Sequence, residues 1–597
     1  MPPTLSAAPA AILIPLGTAF VMPLIGRFVR HFRPALCIAS LLCSGVVLLS
    51  LGDPVLKGQT LVYWMSSWAP RDGLAIGISL SVDAWGWLIA LITVIVGLAS
   101  VIYAAGYLRG ETGHETYYVL VMLLITGLIG FALSGDLFNQ FVWLEVFSVA
   151  AFALTAFHPE HAESIEAAFK YLITNSIAAF FVAIGLTLLY LNTGALNLAH
   201  VARDFKPTPG GMIGVGLLVG GYATKAALVP WHFWLPDAHA AAPTPVSALF
   251  SGALIKIGLY AVARCVFTLV PPGHNDLLRT ALIGVGTASI FVGGVQMLHQ
   301  KQIKRILAYS SVAQMGYLII GVGLGSPGAL AGAALHALHH ALVKSALFMG
   351  TGAVVRQTDA HTLDECGGLA RLMPITFVLV SGGTAALAGI PFSSGYLGKS
   401  LITEAAKESG MDWLSLVVVG AGIFTLAGML RLIWRVFFGE HRTTGAGGAH
   451  EAPLIMLMPI AALMIGSLLI GFSAEGMTKN LGAWAAHALQ NRDAYIGQVM
   501  EGTVPPESLS APEIHPPEPG DISHWGSSIL ILVGGVGMAY LSLRKPFSAG
   551  TLPYTLIYQA RRISLALRLW HTGIVTDYAL WNSVGTALLI VPLMIQR

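Results

Sequence analysis

Charge is what this sequence has least of. Aspartate, glutamate, lysine and arginine make up 10% of its 597 residues, where a soluble domain carries about 25%. So little charge leaves almost no material for a solvated surface, which excludes a soluble globular protein of this length. The balance of 32 lysines and arginines against 29 aspartates and glutamates is too even to serve a nucleic-acid or acidic partner through bulk charge. Cysteine is scarce as well. Cys37, Cys43, Cys265 and Cys366 form no CxxC or other ligand cluster, which argues against iron–sulfur clusters, structural zinc and a disulfide framework on this chain. Nor does a basic stretch precede the first apolar run at 8–26, so that run reads as a retained anchor and not a cleaved signal.

What is present is apolar sequence, 55% of the residues, arranged in long runs. A bilayer core of about 30 Å takes about 20 mostly apolar residues per helix. Windows of that size predict an all-α polytopic membrane protein of about 14 core helices plus about 2 at the C-terminus, between 8–26 and 574–594. Lysines and arginines concentrate in the loops after odd-numbered spans (Arg27, Arg30, Arg33, Arg109, Lys301, Lys304, Arg305, Arg356, Arg371). The positive-inside bias then puts those loops in the cytoplasm and both termini outside, in a multi-pass protein of the inner membrane.

Against this apolar background a few ionisable residues fall inside spans: Glu145, Lys225, Lys256, Lys344 and Lys399. A charge at the bilayer centre costs about 3 kcal/mol on insertion scales, so each is a functional-site candidate. A single lysine near a helix end is as well explained by snorkelling or a static pair. Four lysines and a glutamate are not, because serine, threonine or asparagine hold membrane helices together at lower cost. His336, His340 and Lys344 are spaced i, i+4, i+8 and stack on one helix face, a ladder of about 12 Å. Neutral imidazole both donates and accepts, so such a ladder suits proton relay through water. A metal site at His336, His339 and His340 is the weaker reading: His339 points about 100° away from its neighbour, and no carboxylate or thiolate accompanies the three.

Two helices should be broken. Pro230 lies five residues after Lys225 and removes a backbone donor beside it; Pro391, with Gly389 and Gly395, interrupts the run before Lys399. Broken helices beside buried charges in both halves of a chain predict an inverted-repeat transporter. The resulting division is N-terminal spans over 1–74, one repeat over 75–272, a second over 273–440, a closing span over 441–473, an external proline-rich loop over 474–526, and a two-span extension over 527–597. Within that extension, 552–572 has the alternation of an amphipathic helix lying along the interface. A Glu145–Lys225 pair would act as a switch, because pairing and burial push the two protonation equilibria in opposite directions.

At these residues the chain resembles a known family: the antiporter-like membrane subunits shared by respiratory complex I (NADH:quinone oxidoreductase), membrane-bound hydrogenases and Mrp-type sodium/proton antiporters. The resemblance spans roughly 75–440. It rests on Ser134-Gly135-Asp136, the Glu145 helix, Lys225 through Pro230-Trp231-His232 to Pro236-Asp237 and His239, and Pro243-Thr244-Pro245-Val246-Ser247. Lys304-Arg305, Tyr309-Ser310-Ser311 and His336 to Lys344 complete it. The surroundings of Lys256 and the Asn192-Thr193-Gly194 stretch resemble the Mrp D-type and hydrogenase-type members most. The resemblance implies a proton pathway in which Glu145 and Lys225 pair, Lys256, His336, His340 and Lys344 relay, and Lys399 is the exit. It also implies a non-redox ion-pumping subunit beside other membrane subunits, including other antiporter-like ones, with lipids around it. No cofactor is expected on this chain, and any iron–sulfur, flavin or nickel centre belongs to partner subunits. Two alternatives stand beside it: a subunit of an Mrp-type Na⁺/H⁺ antiporter without a redox partner, and a membrane partner that energises a soluble subunit. The extension over 474–597 exceeds the usual family pattern.

Overall fold

The computed structural model describes residues 7–25, 32–111, 113–391, 393–503, 510–516, 525–543, 562 and 571–595. Helix dominates because the bilayer offers backbone groups no partner but each other. Three N-terminal helices, α1 (Ala10–Ile25), α2 (Arg33–Ser50) and α3 (Ala84–Tyr107), are interrupted by a short antiparallel hairpin, Leu61–Trp64 against Ser79–Val82. Asp83 ends the hairpin and starts α3, its carboxylate accepting from the Gly86 amide at 2.9 Å.

The same run of elements then appears twice. The first comprises α4 (His114–Leu133), α5 (Leu137–Thr155), the 32-residue α6 (Ala162–Thr193), a broken pair α7 (Pro209–Lys225) and α8 (Trp234–Ala241), and α9 (Thr244–Leu269). The second comprises α10 (Asp276–His299), α11 (Ile303–Leu324), the 32-residue α12 (Pro327–Thr358), a broken pair α13 (Pro374–Ala388) and α14 (Ser394–Glu408), and α15 (Asp412–Phe437). With a broken pair counted as one crossing, each unit crosses five times. The second therefore enters from the face opposite the first, which inverts it. α16 (Leu454–Phe472) closes the bundle, and α17 (Trp525–Leu543) and α18 (Val575–Ile595) follow.

Among the described residues eleven helices are long and apolar enough to cross a membrane, with Ala10–Leu24 and Pro374–Ala388 shorter apolar helices beside them. That length-and-hydropathy criterion passes over α7 and α12, which the sequence windows count as crossings. The break ends α7 after 17 residues, and α12 is made polar by its histidines and lysine yet is buried along nearly its whole length. At the C-terminal side the segment read as a loop holds short helices. The prolines of the segment 474–526 begin at Pro505, but residues before them are helical at Ala483–Gln490 and Arg492–Met500, with Ala485, Ala486 and Leu489 buried. The amphipathic segment 552–572 falls, apart from Arg562, His571 and Thr572, outside the described residues.

Close crossings pack the helices within each unit. A Cβ on Gly258 of α9 would collide with the Ala226 backbone at the end of α7, and one on Gly293 of α10 with the Ala313 backbone of α11. Small residues permit such approaches in lipid, where no hydrophobic force separates helix from tail. Near the hairpin, Arg264 of α9 reaches Asp83 in a fully buried ion pair, with Tyr260 and Tyr495 rings against the guanidinium. Replacing Arg264 by methionine strands a buried carboxylate, a loss of about 3–5 kcal/mol. Arg264→Met is thus expected to lower the melting temperature of the detergent-solubilised protein sharply, and Asp83→Asn/Arg264→Met to recover most of the loss.

Candidate functional site

The ionisable residues singled out in the sequence occupy the bundle interior. Lys225, Lys256, Lys344 and Lys399 are all buried, as are His336, His339 and His340, while Glu145 is half-buried. A buried ammonium needs acceptors, and each lysine finds a neutral one. Lys225 ends α7 and donates to Ser148 Oγ of α5 at 2.6 Å. Ser148 lies three residues beyond Glu145, one turn along the same face. Among the described residues no ion pair joins Glu145 to Lys225; the serine hydroxyl stands where the sequence suggested a direct carboxylate contact.

Lys256 follows a widened π turn at Phe250–Leu254, the kind of irregularity that turns backbone oxygens toward a side chain. It donates to the Ser251 carbonyl of that turn and meets His340 Nδ1 at 2.5 Å. This contact couples the first repeat to the α12 ladder. Lys344, one turn further along α12, donates to the Leu307 carbonyl of α11 at 2.8 Å. In the other direction His336 Nε2 pairs with Gln314 Oε1 at 2.9 Å, and Gln314 donates to Thr425 of α15.

The two breaks differ. Pro230 lies in the 226–233 segment between α7 and α8, and the Thr224 carbonyl near the end of α7 is taken by Trp234 Nε1 at 2.8 Å. In the second break, 389–393, which holds Pro391, the freed carbonyls of α13 are left for the lysine: Lys399 donates to Leu387 O at 2.7 Å. Gly395 lies not in the break but in the first turn of α14, where a Cβ would strike the Ala386 carbonyl and the His339 ring. Tyr317 bridges toward the ladder, with Lys399 4.9 Å over its ring and the His336 ring 5.6 Å away.

Several residues that sequence reasoning passed over belong to this row. His339, left out of the ladder because it points about 100° away from its neighbour His340, reaches the second break, where Nδ1 meets Ser394 Oγ at 2.7 Å. His239 stacks on Phe348 at 4.5 Å, and neither of its nitrogens has a protein partner. Its signal was present in the Pro236-Asp237-Ala238-His239 motif. Orphan nitrogens also remain on His336, His339 and His340; buried polar atoms of this kind are sites for water. Among the described residues no group of three His, Cys, Asp or Glu side chains could hold a metal ion.

An open cavity of about 1320 Å³ is lined by charges of both signs, Lys170, Asp237, Lys304, Arg305 and Glu166 among them, with His161. A smaller one, about 170 Å³, reaches Lys399 between α14, α15 and the C-terminal α17, where Ser527 and Ser528 line it. The row of buried lysines thus ends, at Lys399, on a cavity of the second repeat.

The sequence carries the family signature over residues 134–425, which match the model for the membrane domain of NADH:quinone oxidoreductase and Mrp antiporter subunits. NADH-quinone oxidoreductase subunit N of Desulforudis audaxviator is 33% identical over 79% of this chain and 96% of its own length. A chain of the Mrp complex from a Dietzia species superposes with a TM-score of 0.76 at 25% identity, covering 84% of this chain and all of its own. A chain of the membrane-bound sulfane sulfur reductase, an archaeal respiratory membrane complex, gives 0.75 at 28% identity, covering 82% and 99%. Because Ser148 stands beside Lys225, double-mutant cycles on ion-transport rate are expected to couple positions 148 and 225 by about 1.5–3 kcal/mol, the range for a hydrogen bond to a charged group. Positions 145 and 225 should couple less; zero coupling between 148 and 225 would remove the serine from the site.

Proposed function

This chain belongs to the NADH:quinone oxidoreductase/Mrp antiporter family of membrane subunits, and from that premise we propose that it translocates protons within a redox-driven membrane complex. The observation that carries the reading is the row of buried cations and imidazoles linking both broken helices through Lys256–His340. The proposed order is Glu145, Lys225, Lys256, then His340 with Lys344 and His336, then Lys399. Lysine and histidine shuttle protons by changing charge, whereas Na⁺ is held by clusters of oxygen ligands, and the row supplies mostly nitrogen. Electron transfer in this reading lies in partner subunits that carry iron–sulfur, flavin or nickel centres, and this chain contributes no cofactor. Its other neighbours would be membrane subunits, further antiporter-like ones among them, in an inner membrane with both termini on the outer side.

A second reading, coupling to Na⁺ in an Mrp-type assembly without redox partner, is favoured by the close superposition on the Dietzia Mrp complex. In everted vesicles holding the complex, a pH-sensitive dye separates the two. Lys225→Ala and Lys399→Ala are each expected to slow proton movement about a hundredfold, the scale of losing one positioned proton-transfer group. Removing Na⁺ should leave the wild-type rate unchanged, and a Na⁺-dependent rate would favour the second reading.

A further inference from the structure

The C-terminal extension reaches into the first repeat, beyond the matched family region, which ends at residue 425. α18 lies against α6 and α7. Trp231 donates from Nε1 to the Asn582 carbonyl at 3.1 Å, and Asn582 donates to the Thr174 carbonyl at 2.9 Å. A Cβ on Gly585 would collide with Pro230 and Trp231, so α18 sits flush on the break beside Lys225.

This docking brings two titratable groups to Asp237, a carboxylate buried at the floor of the large cavity. Lys170 Nζ lies 3.5 Å from Asp237 Oδ2 and Arg305 2.7 Å from Oδ1. His571 Nε2 comes within 3.5 Å of Oδ1, and the Tyr578 hydroxyl donates to Oδ2 at 3.4 Å. On its other edge, His571 Nδ1 lies 3.2 Å from the Tyr309 hydroxyl. Tyr309 in turn faces His232, ring centroids 6.4 Å apart, whose Nδ1 is buried without a protein partner. Tyr578 also touches His571 Nε2, at 3.0 Å. The titratable and charged groups facing His571 are therefore Asp237, Lys170, Arg305, Tyr309, His232 and Tyr578.

We propose that His571, seated by Tyr578, is a proton-carrying residue supplied by the C-terminal extension, passing protons from the Asp237 floor of the cavity toward Tyr309 and His232. The inference rests on the proton-translocation reading above. The imidazole has one nitrogen on each side of the step. A proton taken at Nε2 from the cavity makes the ring cationic. The proton on Nδ1 then leaves to the Tyr309 oxygen as Tyr309 gives its own hydroxyl proton inward, and the ring returns to neutral as the other tautomer. Lys170 and Arg305 stay paired with Asp237, which leaves the carboxyl beside the ring through the step. Helix packing alone would not need a ring bonded at both nitrogens between a cavity and a buried histidine.

The test uses everted vesicles holding the full complex, with proton movement followed from pH 6 to pH 8. His571→Gln is expected to slow transport about tenfold at pH 8, where protons are scarce and a relay matters, and less than about twofold at pH 6, where protons reach the floor directly. Tyr578→Phe should give a weaker version of the same pattern. External imidazole should restore the pH 8 rate of His571→Ala. Asn582→Ala, which loosens α18 without touching the histidine, should scale the profile without changing its shape. Equal loss at both pH values in His571→Gln, or no imidazole rescue, overturns the proposal. If wild type and Lys225→Ala move protons equally, the translocation reading itself fails, an outcome distinct from either of these.

Discussion

An ammonium in the middle of an apolar bundle must be given oxygens or nitrogens, and most of the interior of this protein is arranged to provide them. The cost of leaving such a group bare runs to many kcal/mol. What stands out is the kind of partner chosen. Two buried aspartates, Asp83 and Asp237, meet arginine or lysine. The four lysines of the central row are met by a serine hydroxyl, an imidazole and backbone carbonyls. A carboxylate would hold the ammonium charged, whereas a neutral partner stabilises it less and leaves the ammonium and amine forms closer in free energy. The irregular backbone follows from the same need. The π turn before Lys256 and the break before Lys399 both present carbonyls that a regular helix would keep to itself.

Much of this was legible in the sequence, for a physical reason. Charges in lipid-length apolar runs are costly enough to be meaningful one at a time, so Lys225, Lys256, Lys344 and Lys399 declared themselves. The i, i+4 spacing of His336 and His340 fixed their shared face, and proline fixed the breaks. Partners were not legible, because they depend on rotation about helix axes that no single-helix pattern specifies. Ser148, Gln314 and Tyr317 are ordinary residues until the bundle brings them to a lysine or histidine. His339 shows the limit most plainly. Its direction along α12 was read correctly from the helical period, but only the fold shows that this direction leads to Ser394. The loop reading of 474–526 missed its short helices because composition was averaged over a window whose prolines lie at one end.

The C-terminal residues change how the two repeats relate. α17 packs against α15 in the second unit and α18 against α6 and α7 in the first, so one covalent segment spans both. Each of its helices also stands beside one end of the row: Ser527 and Ser528 beside the cavity at Lys399, and Gly585 against the break that follows Lys225. A displacement of either broken helix therefore has to be accommodated by the extension as well as by its own repeat. The near-identical element order of the two units makes this asymmetric addition more conspicuous, since nothing in either repeat supplies its counterpart.

Lys225 and Lys399 are seated on different kinds of backbone. Ser148, the acceptor for Lys225, itself donates to the Leu144 carbonyl within α5, so the hydroxyl is held by an intact helix and the contact lasts only while α7 and α5 keep their places. Lys399 donates to a carbonyl that the second break has freed, so its contact is local to one interrupted crossing, α13 with α14. The first lysine therefore registers a shift between two helices, the second a change within one.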